Sequence, residues 1–231
     1  MNSLSTSTVK NTRFENLNLE SNGGRNASLF RYAENSVFSN ITISTSSPAI
    51  SNSISIHNQT NIHDVGALIS WAQNCSFSDI TIENTIVKAY NVTFRTSTLG
   101  GMAGKLIQSN LTRCFNLGFK NDISTIIVDS PLYTGGLVGA SSLSYISSCG
   151  VENGIVFSST NITGGVVGYL SDTQVDQVYI KSASVQSNSS VLGSLFGVVE
   201  VLGKNVEIKN AYSRANSSGI EYVVRIKNNF Q

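Results

Sequence analysis

The chain has 231 residues, a formal net charge of +1 and only 13% charged residues. Its few Lys and Arg are scattered, which excludes a basic footprint, so neither nucleic acid nor an anionic membrane is an expected partner. No run approaches the roughly 18 apolar residues of a spanning helix, and residues 1–10 lack an apolar signal core, so no membrane span or targeting signal is expected in this segment.

In chain order, residues 1–24 carry the block Phe14-Glu15-Asn16-Leu17-Asn18-Leu19 and end in the turn signal Asn22-Gly23-Gly24. Residues 25–64 open on Ala27-Ser28-Leu29-Phe30-Arg31, continue in a strand block from Phe38, and add a piece, Ser44 to Asp64, whose Ile50, Ile54 and Ile56 suggest an extra strand. Residues 65–99 repeat the pattern at Gly66-Ala67-Leu68-Ile69-Ser70 and Phe77, and hold the only tryptophan, Trp71. Residues 100–134 repeat it at Gly100-Gly101-Met102-Ala103-Gly104 and Leu111, with an insertion around Ile123, Ile126, Ile127 and Val128. The two most regular copies follow, at Gly135-Gly136-Leu137-Val138-Gly139 with Ile146, and at Gly164-Gly165-Val166-Val167-Gly168 with Val175. The last copy, Gly193-Ser194-Leu195-Phe196-Gly197, reaches its block at Ile208 four residues late, which places an insertion near Gly203-Lys204.

Counted on their central apolar residue (Leu29, Leu68, Met102, Leu137, Val166, Leu195), the copies lie 39, 34, 35, 29 and 29 residues apart. Self-similarity at that period is the signature of a solenoid. The block follows its anchor by nine residues in every copy but the last, whereas the return to the next anchor varies, so one side of each coil is fixed and the other absorbs insertions. The blocks are rich in Val, Ile, Phe and Thr and alternate with period two, which makes them strands; almost no helix is expected. The fold expected is all-β: a right-handed parallel β-helix of six to seven triangular coils, with Val156 and Val185 marking a third strand per coil. At about 4.8 Å per coil the rod would be roughly 30 Å long. The anchors form an inward column, and the small residues before them mark a tight bend or a close backbone approach. Residues 1–231 read as one solenoid domain and as a fragment of a longer repeat protein. Its uncapped strand edges would favour end-to-end self-association.

The core Gly135 to Gly139 followed by Ile146-Ser147-Ser148-Cys149, and Gly164 to Gly168 followed by Val175-Asp176-Gln177-Val178-Tyr179, resemble the GLUG repeat of bacterial surface and adhesin-like proteins. The resemblance covers about residues 100–215, with Gly193 and Gly197 as its last glycines. It implies a stalk or accessory region at the cell surface, without catalytic residues.

The residues themselves nominate no catalytic group. The acids are dispersed and form no paired motif of the kind glycosidases need. Arg225-Ile226-Lys227 is similar to the Arg-x-Lys of polygalacturonases, but the paired Asp and Gly-His-Gly of that family are absent. His57 and His63 sit in a polar insertion beside Asp64; no metal or cofactor is expected. Asn16, Asn40, Asp79, Gln177 and Asn210 read as an Asn/Asp turn ladder or as a carbohydrate-facing row. Cys114 and Cys149 share a block position on neighbouring coils, as an inward thiol ladder or, less suited to parallel strands, a disulfide; Cys75 belongs to another column. Nine N-x-Ser/Thr sequons, from Asn26 to Asn216, hint at a secreted glycoprotein.

Three functions stay open. The first is a surface or secreted module for adhesion, display or spacing, meeting glycans or cell-surface proteins. The second is the scaffold of a carbohydrate-active enzyme, and the third a passive stalk. Trp71 and Tyr90 are the candidate aromatic platform for a ligand; each could equally pack or cap a coil.

Overall fold

The computed structural model describes residues 3–22, 28–47, 51–57, 64–90, 97–118, 120–124, 132–158, 162–187, 192–203, 206–218 and 226–228. Among these every regular element is a strand, all strands pair in parallel, and they form three sheets of a β-solenoid. No helix among the described residues is long and apolar enough to cross a membrane.

Sheet A stacks the strands that follow the anchors: Ser3–Ser5, Phe30–Glu34, Ile69–Gln73, Ala103–Ile107, Val138–Ser142, Val167–Ser171, Phe196–Val201 and Ile226–Asn228. Sheet B has two limbs. The first holds the blocks Thr8–Glu15, Val37–Ser44, Ser76–Glu83, Asn110–Leu117 and Tyr145–Glu152. The second holds Asn18–Asn22, Asn52–His57, Thr85–Tyr90, Lys120–Ser124 and Ile155–Ser158. The strand Gln174–Ser187 runs through both limbs, and Ile208–Lys209 and Tyr212–Ser218 pair onto it. Sheet C is short: Asp64–Val65, Ser97–Gly100, Leu132–Gly135, Ile162–Gly164 and Leu192–Gly193. The turns that start at Phe30, Ile69, Ala103, Val138 and Val167 carry all four segments, so about five turns are complete, against the six to seven expected, with a partial turn at either end.

The register follows the repeat. Phe30, Ile69, Ala103, Val138, Val167 and Phe196 stand in one column of sheet A. Phe38, Phe77, Leu111, Ile146, Val175 and Ile208 stand in one column of sheet B, so the late block at Ile208 keeps its place despite the insertion. Stacking puts like over like in the core: the Phe38 and Phe77 rings lie parallel with centroids 4.8 Å apart, and the anchors Leu68, Met102, Leu137 and Val166 are fully buried.

Three expectations are revised. The first block begins at Val9, which pairs with Phe38; Phe14 is its sixth position and pairs with Ile43. The apolar pattern Phe14, Leu17, Leu19 straddles a turn at Asn16, whose φ is 55°. Nor, among the described residues, does the piece from Ser44 to Asp64 add a strand: Asn52–His57 is the ordinary second-limb strand, in register with Thr85–Tyr90. The third strand marked by Val156 and Val185 is the second limb of sheet B, beyond its bend, and each complete turn has a fourth segment besides, the short sheet C strand just before the anchor.

Those bends are made by left-handed residues in columns. One runs Thr6, Asn35, Asn74, Gln108, Leu143, Asp172 between sheets A and B; a second runs Asn11, Asn40, Asp79, Arg113, Ser148, Gln177, Asn210 inside the first limb. Asn and Asp tolerate positive φ because their short polar side chains bond locally. The expected turn ladder is the second column, except that Asn16 belongs to a third, between the limbs, with Asn84, Gly118, Asn153 and Ser182.

The anchor corner explains the glycines. Two successive N–H groups converge on one anchor carbonyl of the next coil: Leu137 and Val138 on Val166 O at 2.9 and 3.1 Å, Val166 and Val167 on Leu195 O at 2.8 and 3.1 Å. A Cβ at Gly136 would overlap the Gly165 carbonyl oxygen, and one at Gly139 would stand 2.6 Å from Gly104 O and 2.7 Å from Leu99 N. Only a hydrogen fits there.

A second column holds the corner between sheets A and B: Ser7, Ser36, Cys75, Ser109, Ser144 and Thr173. Each hydroxyl donates to the carbonyl two residues before it, Ser109 to Ile107 O at 2.8 Å and Ser144 to Ser142 O at 2.7 Å. Ser36, Ser109, Ser144 and Thr173 also accept an N–H from the neighbouring coil, as in Cys75 N to Ser109 Oγ and Ser109 N to Ser144 Oγ, both at 3.1 Å. The Cys75 thiol imitates the pattern by donating to Gln73 O at 3.2 Å. Cys114 and Cys149 are buried and free in their own column, with Cys114 N 3.4 Å from Cys149 Sγ, so the thiol-ladder reading holds.

Ser109→Ala leaves the buried Cys75 N–H without its acceptor and is expected to cost about 1–3 kcal/mol. Cys75→Ser restores the hydroxyl of the column and should stay within about 0.5 kcal/mol of the wild type. Urea midpoints check both; a Cys75→Ser loss as large as that of Ser109→Ala would contradict the hydroxyl spine.

Candidate functional site

Sheet A meets sheet C at the glycine corner. The closing glycines Gly104, Gly139, Gly168 and Gly197 bring the starts of their sheet A strands onto a sheet C backbone, since a Cβ at Gly104 would meet Val65 N at 2.5 Å and one at Gly168 would meet Thr134 N at 2.8 Å. Outward side chains of the two sheets therefore stand side by side. The sheet A column is Tyr32, Trp71, Lys105, Ala140, Tyr169, Val198. The sheet C column is Asp64, Thr98, Tyr133, Ile162.

Two aromatic pairs bracket this strip. Tyr32 and Trp71 pack edge to face with centroids 5.1 Å apart, and Trp71 keeps 38% of its surface exposed. Tyr133 and Tyr169 approach across the corner to 4.6 Å. Between the pairs lie Lys105, Asp64 and Thr98. The Thr98 hydroxyl donates to Asp64 Oδ1 at 2.7 Å, and the Tyr169 hydroxyl donates to the Glu200 carboxylate. Burial pushes the Tyr169 phenol far up, and the bond to Glu200 adds to it. Burial likewise raises Tyr133, with the Glu200 charge contributing. Neither phenol ionises near neutral pH, so both act as hydrogen-bonding, amphipathic rings.

Of the two predicted platform residues, Trp71 lies on this strip and Tyr90 does not. Tyr90 ends the second-limb strand of sheet B, in register with His57 and Ser124, and its side chain lies outside the described residues, as does that of His57. His63 and Arg225 also lie outside them. The structure supplies Tyr32, Tyr133 and Tyr169, which sequence reasoning missed. Their signal was positional only: Tyr32 and Tyr169 occupy the same repeat position as Trp71, three residues after the anchor.

Chemically the strip offers stacking and hydrogen bonding. Its acids Glu34 and Glu200 share one sheet A column five coils apart, and Asp64, beside Gly104, stands two coils from the first and three from the second; two coils already span about 10 Å. Paired carboxylates of glycosidases lie within roughly 9.5 Å. Among the described residues no three His, Cys, Asp or Glu side chains gather as metal ligands.

Burial holds the Asp64 carboxyl above its ordinary value of 3.8, against the Thr98 bond and the Lys105 charge, which pull it down. The folded chain therefore takes up this proton at higher pH than the unfolded chain. The associated stability is full below the ordinary value and is lost as pH rises through the folded one. Asp64→Asn should match the wild type near pH 3 and become progressively more stable than it towards pH 7, read as urea midpoints; a difference that does not change with pH would contradict the assignment.

No protein-family model matches the chain and no curated protein matches it, so its function is read from this geometry.

Proposed function

We propose that the chain is a cell-surface or secreted β-solenoid module for adhesion, display or spacing, and that it meets glycans through the corner of sheets A and C. The observation that carries this reading is the half-exposed Tyr32–Trp71 pair followed along the same strip by Lys105, Asp64, Thr98 and the Tyr133–Tyr169 pair. A pyranose ring has an apolar C–H face and a rim of hydroxyls, and such a strip answers both: flat rings for the face, donors and acceptors for the rim. The resemblance of residues 100–215 to GLUG repeats of bacterial surface proteins supports the same placement. The exposed sequon residues Asn74, Asn110 and Asn216 fit a secreted glycoprotein. The scaffold of a carbohydrate-active enzyme is the weaker reading, because the acids of the strip are too far apart to share one glycosidic bond.

The test is a broad glycan array probed with the chain and with Trp71→Ala. The expected result is binding to a defined glycan class, weakened by about tenfold or more in the variant. Absence of binding throughout, or binding indifferent to Trp71, would favour a passive stalk.

A further inference from the structure

A second outward face shows a different arrangement, on the first limb of sheet B. One column of that limb reads Thr42, Thr81, Phe115, Gly150, Tyr179, Tyr212. Gly150 has no side chain, and Tyr179 of the next coil fills the place. A Cβ built on Gly150 would run into Cζ, Cε1 and Cε2 of the Tyr179 ring together. Three ring atoms can be met at once only if the ring lies across the strand, one face on the backbone and the other towards solvent. Its hydroxyl is fixed in that pose by donation to Glu152 Oε1 at 2.6 Å. Burial and this bond push the phenol up to about 12, so it stays a donor at neutral pH. Phe115 flanks the ring on one side with centroids 6.4 Å apart. On the other side stands Tyr212, 44% exposed, with the Arg214 guanidinium 5.5 Å from its centroid.

Hydrogen-bonding rows run along both sides of this aromatic row. One contains Arg113, forked onto Asp79 at 2.6 and 2.8 Å, and Ser148, which donates to Gln177 at 2.8 Å. The other contains Glu152, Lys181 and Arg214, in register on successive coils. Both signs of charge stand in these rows: Asp79 and Arg113 neutralise each other, and Glu152 sits beside Lys181 and Arg214, so the face carries little net charge to recruit a polyanion. The rows advance by about 4.8 Å per coil, close to the length of one sugar unit in an extended chain.

We infer that this face is a linear binding track for a neutral, extended β-1,4-linked hexopyranose chain lying along the solenoid axis, with the solvent face of Tyr179 as its central stacking surface. Equatorial substituents make such sugars flat, so one C–H face rests on the ring while the hydroxyls reach the rows on either side. The track goes beyond the adhesive corner and uses none of its residues.

The experiment titrates the full chain with the dimer and the hexamer of β-1,4-linked glucose and of β-1,4-linked N-acetylglucosamine, by calorimetry. Gly150→Ala is the informative variant. Its methyl displaces only the free end of a flexible side chain, so the coil stays folded while the ring is tipped off the strand; an unchanged urea midpoint verifies this. One hexamer should bind more tightly than its dimer by about tenfold, and both Gly150→Ala and Tyr179→Ala should weaken it by about tenfold or more. Trp71→Ala should leave it unchanged. The track is overturned if neither hexamer binds, or if Gly150→Ala and Tyr179→Ala bind as the wild type does. Loss in Trp71→Ala alone also overturns it, and would assign the glycan to the corner of sheets A and C.

Discussion

The structure depends on how closely one coil's backbone approaches the next at the anchor corner. Two neighbouring N–H groups share a single carbonyl of the following coil, and the sequence around that point has almost no room for side chains. Each coil is thereby keyed to its neighbour at one place. From there, nine fixed residues lead to the block strand, so a correct corner imposes a correct register on sheet B. A one-residue slip would send every core side chain of the coil to the solvent face. The hydroxyl column from Ser7 to Thr173 is a second key at the next corner, since it satisfies buried N–H groups that a bend would otherwise leave without partners.

This explains which parts of the chain vary. Between the second limb of sheet B and sheet C the intervals differ, from residues 125–131 in one turn to residues 159–161 in another. In the five complete turns the keyed side keeps its length and the other side takes the insertions; the late block at Ile208 belongs to the turn after them. A solenoid coil interacts only with its neighbours, so such differences do not propagate. Leu4, Val9 and Ile208 each have a described strand on one side only, and they are accordingly only partly buried.

What was legible in the sequence was what the core repeats. Column positions of Phe38, Phe77, Leu111 and Ile146 followed from spacing, because an inward residue has the same neighbours in every coil. The first block was misplaced by five residues, since its fourth position is Thr12 rather than an apolar residue, while Leu17 and Leu19 beyond the Asn16 bend supplied a better apolar match. The hydroxyl spine was hidden for a different reason: a buried Ser looks like any other in a chain rich in Ser. Outward residues were the hardest. Trp71 stood out by its type, but its column also holds Lys105, Ala140 and Val198 between and beyond the tyrosines, and nothing in the repeat constrains an exposed column. Tyr133 reaches Tyr169 only through the fold, across two sheets. In the proposed function the binding residues lie in the columns that do not repeat, displayed by columns that do.

The central claim, that coil-to-coil keying at the corners holds the solenoid together, is tested most directly by native-state amide hydrogen exchange. The N–H groups of Cys75, Ser109 and Ser144, which bond to the next hydroxyl of the spine, and those of Leu137 and Val166 at the anchor corner should exchange only through global opening, with the strongest protection in the chain. Fast exchange at these five amides, with slow exchange confined to the middle of the sheet B strands, would contradict the account and place the stability in the strands instead of the corners.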